Sequence, residues 1–335
     1  MQNNDLLQVL TREGVLISVS VRYWRGCKKL SAEDIGLDSR KVSDRLISLG
    51  HKRLLPKEAT GRLSLIEGRA HALVEGSAFP FLNGLAHFVP NSKLAEVSGK
   101  LRELENEFWQ AKAAFIKEYT DLRESAAKEW KAMAEKLVSD PDRLVAGIEA
   151  AFPPVGRMDR FFDFRTTLFQ IAVPDRLGLD LLALGDQEKL MQARQQASQE
   201  AAQKIRADTE AFVADCVATL REQTAHLCQE MLESINNSET GVHQKTLNRL
   251  VKFIDQFKQM NFVNDGEMEA QLEGVRKELL SKTAEEYRDS TKARNQLVAG
   301  LSQLRDTANL LAHQDATELV QRFGEMGRRK FHLAA

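Results

Sequence analysis

Proline is scarce in this 335-residue chain, at 7 residues, and glycine numbers only 19. So few breakers over such a length leave room for long uninterrupted helices. No window approaches the ~20 consecutive apolar residues that a spanning helix needs, which excludes a helical membrane protein. The opening MQNNDLLQVL has neither the basic region nor the apolar run of a secretory leader, so the chain is expected in the cytoplasm. Cysteine is limited to Cys27, Cys216 and Cys228. The last two fall about three turns apart on one predicted helix, beyond disulfide reach, and free thiols are expected. Net charge is -1, which removes any global basic field for nucleic acid but leaves room for a local patch.

Chemical signatures are also missing. There is no GxxxxGK[ST] phosphate loop, no GxGxxG, no GxSxG elbow and no HExxH. None of the seven histidines (His51, His71, His87, His226, His243, His313, His332) pairs with another or with an acid at a metal-ligand spacing. His226 and Cys228, two apart on a helix, point to different faces. No catalytic residue, cofactor or metal is therefore expected.

What the chain does carry is apolar residues at helical spacing, in a composition 43% hydrophobic and 28% charged. From about Ser92, a possible N-cap, to Leu137, apolar residues recur in steps of three and four: Leu94, Val97, Leu101, Leu104, Phe108, Ala111, Phe115, Tyr119, Leu122, Ala126, Trp130, Met133, Leu137. Such a helix spans roughly 65 Å at 1.5 Å per residue and must pack against another element. Asp140-Pro141 ends it. A second long helix is predicted from Asp186, its possible cap, to Ser234. Its first half is rich in Ala and Gln and offers little apolar area. Shorter helices are predicted at 5–12, 39–49, 57–75, 141–151, 244–260, 265–287 (with Asp265 as N-cap) and 290–323.

Strand signals are fewer. In Gly14–Trp24, Val15, Ile17, Val19, Val21 and Tyr23 alternate with Ser18, Ser20 and Arg22, the period of a half-buried strand. Phe161–Pro174 is rich in aromatic and β-branched residues and is assigned as its partner. Phe79–Pro90 contains Asn83-Gly84, a hairpin-turn pair.

The fold expected is mainly α: a long antiparallel, coiled-coil-like stalk, a small α+β head and a C-terminal helical bundle. In domain terms, 1–91 is the N-terminal head segment and 92–138 the first long helix. Residues 139–185 form a connector with the strand that completes the head, 186–236 the second long helix, and 237–335 the bundle.

Two surfaces are candidates for binding. Arg22, Arg25, Lys28 and Lys29 surround Tyr23 and Trp24, a mixture of cations and aromatics that suits single-stranded nucleic acid. The bland alternative is a solvated strand end. Arg25, Lys28 and Lys29 also flank Cys27, a setting that suits a reactive thiol. The apolar loop residues Phe81, Leu82 and Phe88 would bind a protein partner if exposed, or plug the head if not.

The stretches REGVLISVSVRYWRGCKKL (12–30), FPFLNGLAHFVP (79–90) and LNRLVKFIDQFKQMNFVND (247–265) resemble an uncharacterised family of helical proteins, a domain of unknown function, from bacteria, phages and plasmids. The resemblance implies a setting beside MoxR- or cobaltochelatase-like AAA+ ATPases and von Willebrand factor A-type proteins, and transfers no site residue. The function expected is a non-enzymatic scaffold or adaptor, an accessory subunit of such an ATPase machine, with protein partners, a possible homo-oligomer and no membrane. The alternative is a nucleic-acid-binding accessory protein of a phage or mobile element.

Overall fold

The computed structural model describes residues 5–35, 48–138, 140–170, 187–238, 241–314 and 316–332. It is mainly helical with a small antiparallel sheet. Two compact units arise from interleaved stretches: unit 1 takes 1–17, 77–95 and 168–335, and unit 2 takes 18–76 and 96–167. The expected linear segments are therefore cut differently, with 1–91 divided between the two.

In chain order the helices are α1 (Asp5–Glu13), α2 (Gly61–Glu75), α3 (Asn91–Leu137), α4 (Pro141–Ala151), α5 (Gln187–Asn237), α6 (Gln244–Met260), α7 (Gly266–Glu278), α8 (Ala284–Asp289), α9 (Thr291–Ala312) and α10 (Thr317–His332). The strands are β1 (Gly14–Arg22), β2 (Cys27–Lys29), β3 (His51–Arg53), β4 (Phe79–Phe81), β5 (Ala86–Pro90) and β6 (Asp163–Phe169). Four of them form a sheet in the order β4-β5-β1-β6, and β2 pairs with β3 as a separate antiparallel ribbon. The predicted partnership of β1 with β6 is observed. The predicted helix 39–49 and the cap Asp186 lie outside the described residues.

Within unit 1, β5 pairs antiparallel with β1, Gly14 opposite Pro90 and Ile17 opposite His87, and also with β4. At the hairpin tip Leu82, Asn83 and Gly84 all have positive φ (47°, 56° and 82°), and the Leu85 amide donates to the Leu82 carbonyl at 3.2 Å. Asn83-Gly84 thus turns the chain as predicted, while Leu82 takes a conformation uncommon for a branched side chain. Phe79, Phe81 and Phe88 point inward. Phe81 stacks on Phe212 of α5 at 4.7 Å, and Phe88 on Phe262 at 4.8 Å. Burial along α5 is sparse in the Ala/Gln-rich stretch, where Ser198 is the one buried side chain between Gln195 and Asp208, and becomes continuous from Thr209 onward. There α5 lies along α9, and α1 packs on α10.

The polar interior of unit 1 centres on Asp265, the predicted N-cap of α7. One carboxylate oxygen accepts from the Met268 amide at 3.2 Å, and the other accepts from Arg221 Nε of α5 at 2.7 Å. The Arg221 guanidinium also donates to the Leu311 carbonyl at the end of α9, at 2.6 Å. Both charged side chains are almost fully buried. One ion pair thereby ties α5, α7 and α9 together.

Two predicted helices are each split. The 265–287 helix breaks before Thr283, which with Glu286 forms a capping box that starts α8. The 290–323 helix breaks after Ala312, where the Leu311 carbonyl accepts from Arg221 at 2.6 Å and from the Gln314 amide in a closing turn at 3.2 Å.

Within unit 2, the α3 stripe is buried from Val97 through Tyr119 and again at Ala126 and Ala134. Steps of four (126, 130, 134) carry the buried face onward, so the predicted Met133 and Leu137 fall off it and are exposed. The stripe packs on aromatic residues: Phe108 on Phe164 at 5.7 Å, Phe115 on Phe162 at 5.8 Å and Tyr119 on Phe152 at 6.3 Å. The Tyr119 hydroxyl donates to the Pro153 carbonyl at 2.8 Å and Trp130 Nε1 to the Arg53 carbonyl at 2.9 Å, which anchors β3 to α3. Among the described residues no helix is long and apolar enough to cross a membrane.

Candidate anion-binding groove

The basic-aromatic cluster 22–29 sits where β1 leaves the sheet. Gly26, at φ 60°, turns the chain, and its carbonyl accepts from the Leu54 amide at 2.6 Å. A residue with a Cβ would be strained there. The turn places Cys27 opposite Arg53 in the β2–β3 ribbon. Lys52, on the alternate face, pairs with Asp34 at 2.6 Å. Burial raises the Asp34 carboxyl, but the Lys52 ammonium and two Ser31 groups outweigh it and hold its pKa below the ordinary value.

Beside this ribbon lies a groove of about 680 Å³, wholly within unit 2. Tyr23, Arg25, Cys27 and Arg53 line it from one side. Lys57, Thr60, Gly61, Ser64, Leu65, Gly68, Arg69 and Ala72, from α2 and the 3-10 turn before it, line the other. Four cations and no acid appear among these residues. On α2 the small residues Gly61, Ser64, Gly68 and Ala72 fall at steps of three and four, so they share one face of the helix. A methyl group added at Gly61 or Gly68 would meet nothing within 4 Å, so this floor is open. Residues 22–76 carry 12 Lys/Arg against 7 Asp/Glu, in a chain whose net charge is -1.

Two of the cations are already paired. Arg25 donates to Glu67 at 2.7 Å, and Arg69 donates to both carboxylate oxygens of Glu107, at 2.6 and 3.3 Å. All are surface pairs, worth at most about 1 kcal/mol and open to exchange. Arg25 also lies over the Tyr23 ring at 5.0 Å from its centroid.

The sequence cluster is partly reassigned by its placement. Arg22, Arg25, Lys28 and Lys29 are exposed. Trp24 is not a free stacking surface: it is buried, with Tyr119 edge-on at 5.6 Å and Phe152 at 6.0 Å. Tyr23 is also largely buried and reaches the groove beneath Arg25. The reason is that alternation stops after Arg22 and two successive residues turn inward. Cys27 lines the groove, its thiol donating to the Arg25 carbonyl at 3.3 Å. Lys57 and Arg69 were not singled out as binding residues by sequence reasoning, and Arg53 stood out only as part of the basic run His51-Lys52-Arg53 near the cluster. The signal available in the sequence was the pair of glycines, Gly61 and Gly68, within the predicted 57–75 helix.

The loop trio divides too. Phe81 and Phe88 are buried core residues and plug the hairpin, so they are not surfaces for a partner, whereas Leu82 is exposed, with Leu85 beside it at 73%. The basic tail at Arg328, Arg329 and Lys330 has no described side chains. Buried thiols behave as small apolar groups: burial pushes Cys216 well above its ordinary value and Cys228 up to about 12. Ser238 Oγ lies 3.0 Å from His243 Nε2 in the α5–α6 turn, where the pair bridges two helix ends. Among the described residues no group of three metal-ligating side chains comes together.

Fold and groove together define a mainly helical protein with a cation-lined cleft in one of its two units. The chain belongs to a family of proteins of unknown function, DUF3150, which it matches over residues 11–306. No curated protein and no solved structure matches it.

Proposed function

We propose that this protein is a non-enzymatic, cytoplasmic adaptor that binds a protein partner through the β4–β5 hairpin tip. One observation carries the reading. Leu82 and Leu85 stand 49% and 73% exposed on a loop whose base is held rigidly by buried Phe81 and Phe88. Large apolar side chains on a fixed platform suit recognition, because little conformational entropy is lost when they are covered. Leu82 is held at a positive φ that costs a branched residue about 1 kcal/mol, which is the kind of strain found at binding sites.

The partner class comes from the resemblance of 12–30, 79–90 and 247–265 to proteins set beside AAA+ ATPases and von Willebrand factor A-type proteins in phages and plasmids. An ATPase subunit is the partner this reading names. Two long helices, α3 and α5, are each continuous, over 47 and 51 residues.

The test is an affinity capture of the tagged protein from its host, with and without ATP and after nuclease, alongside the double variant L82D/L85D. Recovery of an AAA+ ATPase by the wild type, lost in the variant, supports the adaptor. An ATPase captured equally by both would remove the hairpin from the interface, and capture abolished by nuclease would remove the adaptor itself.

A further inference from the structure

We propose that the unit 2 groove binds single-stranded nucleic acid, with phosphates on Arg53, Lys57 and Arg69 and a base stacked on the open face of Arg25. The site is independent of the hairpin tip and shares no residue with it.

Three observations point to this ligand. First, every charged side chain that lines the groove is a cation, although the chain as a whole is near neutral. Arg53 and Lys57 stand at one end and Arg69 further along α2. Lys57 and Arg69 are twelve residues apart, roughly 18 Å at the helical rise, which suits an extended polyanion better than one small anion. By alternation, Lys29 falls on the same face of the ribbon as Cys27 and Arg53 and extends the cationic track.

Second, the floor is made of small residues. With Gly61, Ser64, Gly68 and Ala72 in place, a sugar-phosphate chain can approach the α2 backbone closely. Thr60, though 7% exposed, lines the groove, and its hydroxyl makes no capping bond to α2. That leaves a polar group free to meet a phosphate oxygen.

Third, the groove is not uniformly polar. Leu65 is 62% exposed in it, and the Arg25 guanidinium carbon lies over the Tyr23 ring at 5.0 Å from its centroid, with the side chain 62% exposed. A guanidinium plane backed by an aromatic ring is a platform for an unstacked base, which a paired duplex does not present. An acidic peptide would use the cations but leave this platform idle.

Cys27 supplies the assay. It lines the groove, whereas Cys216 and Cys228 are buried, so N-ethylmaleimide on the intact protein modifies Cys27 first. The probe ligand is a 12-residue oligothymidylate at low salt, and modification is followed by mass spectrometry. At ten times the Kd the rate at Cys27 should fall about tenfold, because only the free protein reacts. Binding should weaken with salt at a log–log slope of about -2 for the three phosphate-contacting cations, since each phosphate contact on a single strand contributes about -0.7. In R53Q/K57Q the slope should drop to about -0.7 by the same reckoning. Absence of oligothymidylate binding at low salt would overturn the proposal. So would binding that leaves Cys27 modified at the free rate, which places the strand elsewhere and needs no variant to fold. Protection of Cys27 by a polyglutamate peptide but not by oligothymidylate would reassign the groove to acidic peptides.

Discussion

Asp265→Ala removes one carboxylate and has two consequences. Arg221 is left almost fully buried with no counter-charge, and α7 loses its N-cap. Breaking a buried ion pair by deleting one partner costs about 3–5 kcal/mol. Loss of an N-cap costs about 1 kcal/mol more. Arg221 keeps its bond to the Leu311 carbonyl, which holds the total toward the lower end. The expected loss is therefore about 4 kcal/mol, or nearly three decades in the opening equilibrium of unit 1. Cys228 reports this directly. It is fully buried and its thiol is pushed up to about 12, so it is trapped by a thiol reagent only when its surroundings open. While reclosing outpaces trapping, its rate follows the opening equilibrium and should rise by nearly three decades in the variant. The double variant R221M/D265A, which puts an apolar chain where the charge was, should recover most of the loss, because a buried pair replaced as a unit is close to neutral. A rise below tenfold for Asp265→Ala, or a double variant that opens as readily as the single, would refute this account of the network.

Gly14→Ala should destabilise by about 2 kcal/mol, since the added methyl would meet the Phe88 ring and, at 2.5 Å, the Val89 backbone oxygen, neither free to move; urea midpoints measure it. Gly300→Ala, whose methyl would meet only the mobile end of Leu279, should cost under about 1 kcal/mol in the same assay. In native protein near pH 8, Ellman's reagent should titrate one thiol, Cys27, and three after unfolding; a fast second thiol would contradict the burial of Cys216 and Cys228. The Glu286 carboxyl is held below its ordinary 4.5, chiefly because it accepts from the Thr283 amide. The resulting support for α8 is present above that ordinary value and is lost as pH falls through the lowered one, so the Tm gap between wild type and E286A should close on acidification. A gap unchanged from pH 6 to pH 3 would contradict it.

Features carried by neighbouring residues were legible in the sequence. The β1 alternation, the Asn83-Gly84 turn, the bounds of α4 and α6, the Asp265 cap and the stripe of α3 as far as Ala126 all follow from local spacing and cap chemistry. What was not legible depends on partners distant in the chain. Asp265 reads as a cap, but nothing local says that Arg221, 44 residues earlier, will share it. The groove shows the same division. Tyr23 and Arg25 stand out as a basic-aromatic cluster, yet Arg53 joins them only through the pairing of β2 with β3, and Arg69 only through the placement of α2. Trp24 misled for the opposite reason: adjacency to exposed cations suggested exposure, while its ring answers to Tyr119 on α3 and Phe152 just after α4.

The interleaving of the two units bears on how a ribosome makes this protein. Unit 1 begins with residues 1–17 but cannot gather its remaining parts until residue 168 and beyond have been made. At about 5–20 residues per second that interval is roughly 8–30 s, and α1 waits longer still for α10 at the far end of the chain. Through that time Leu7, Val9 and Leu10 of α1, all buried in the finished protein, lack the cover of α5 and α10. The nascent α1 segment is thus a natural client for a chaperone, and rapid overproduction should favour aggregation through it over loss of any site.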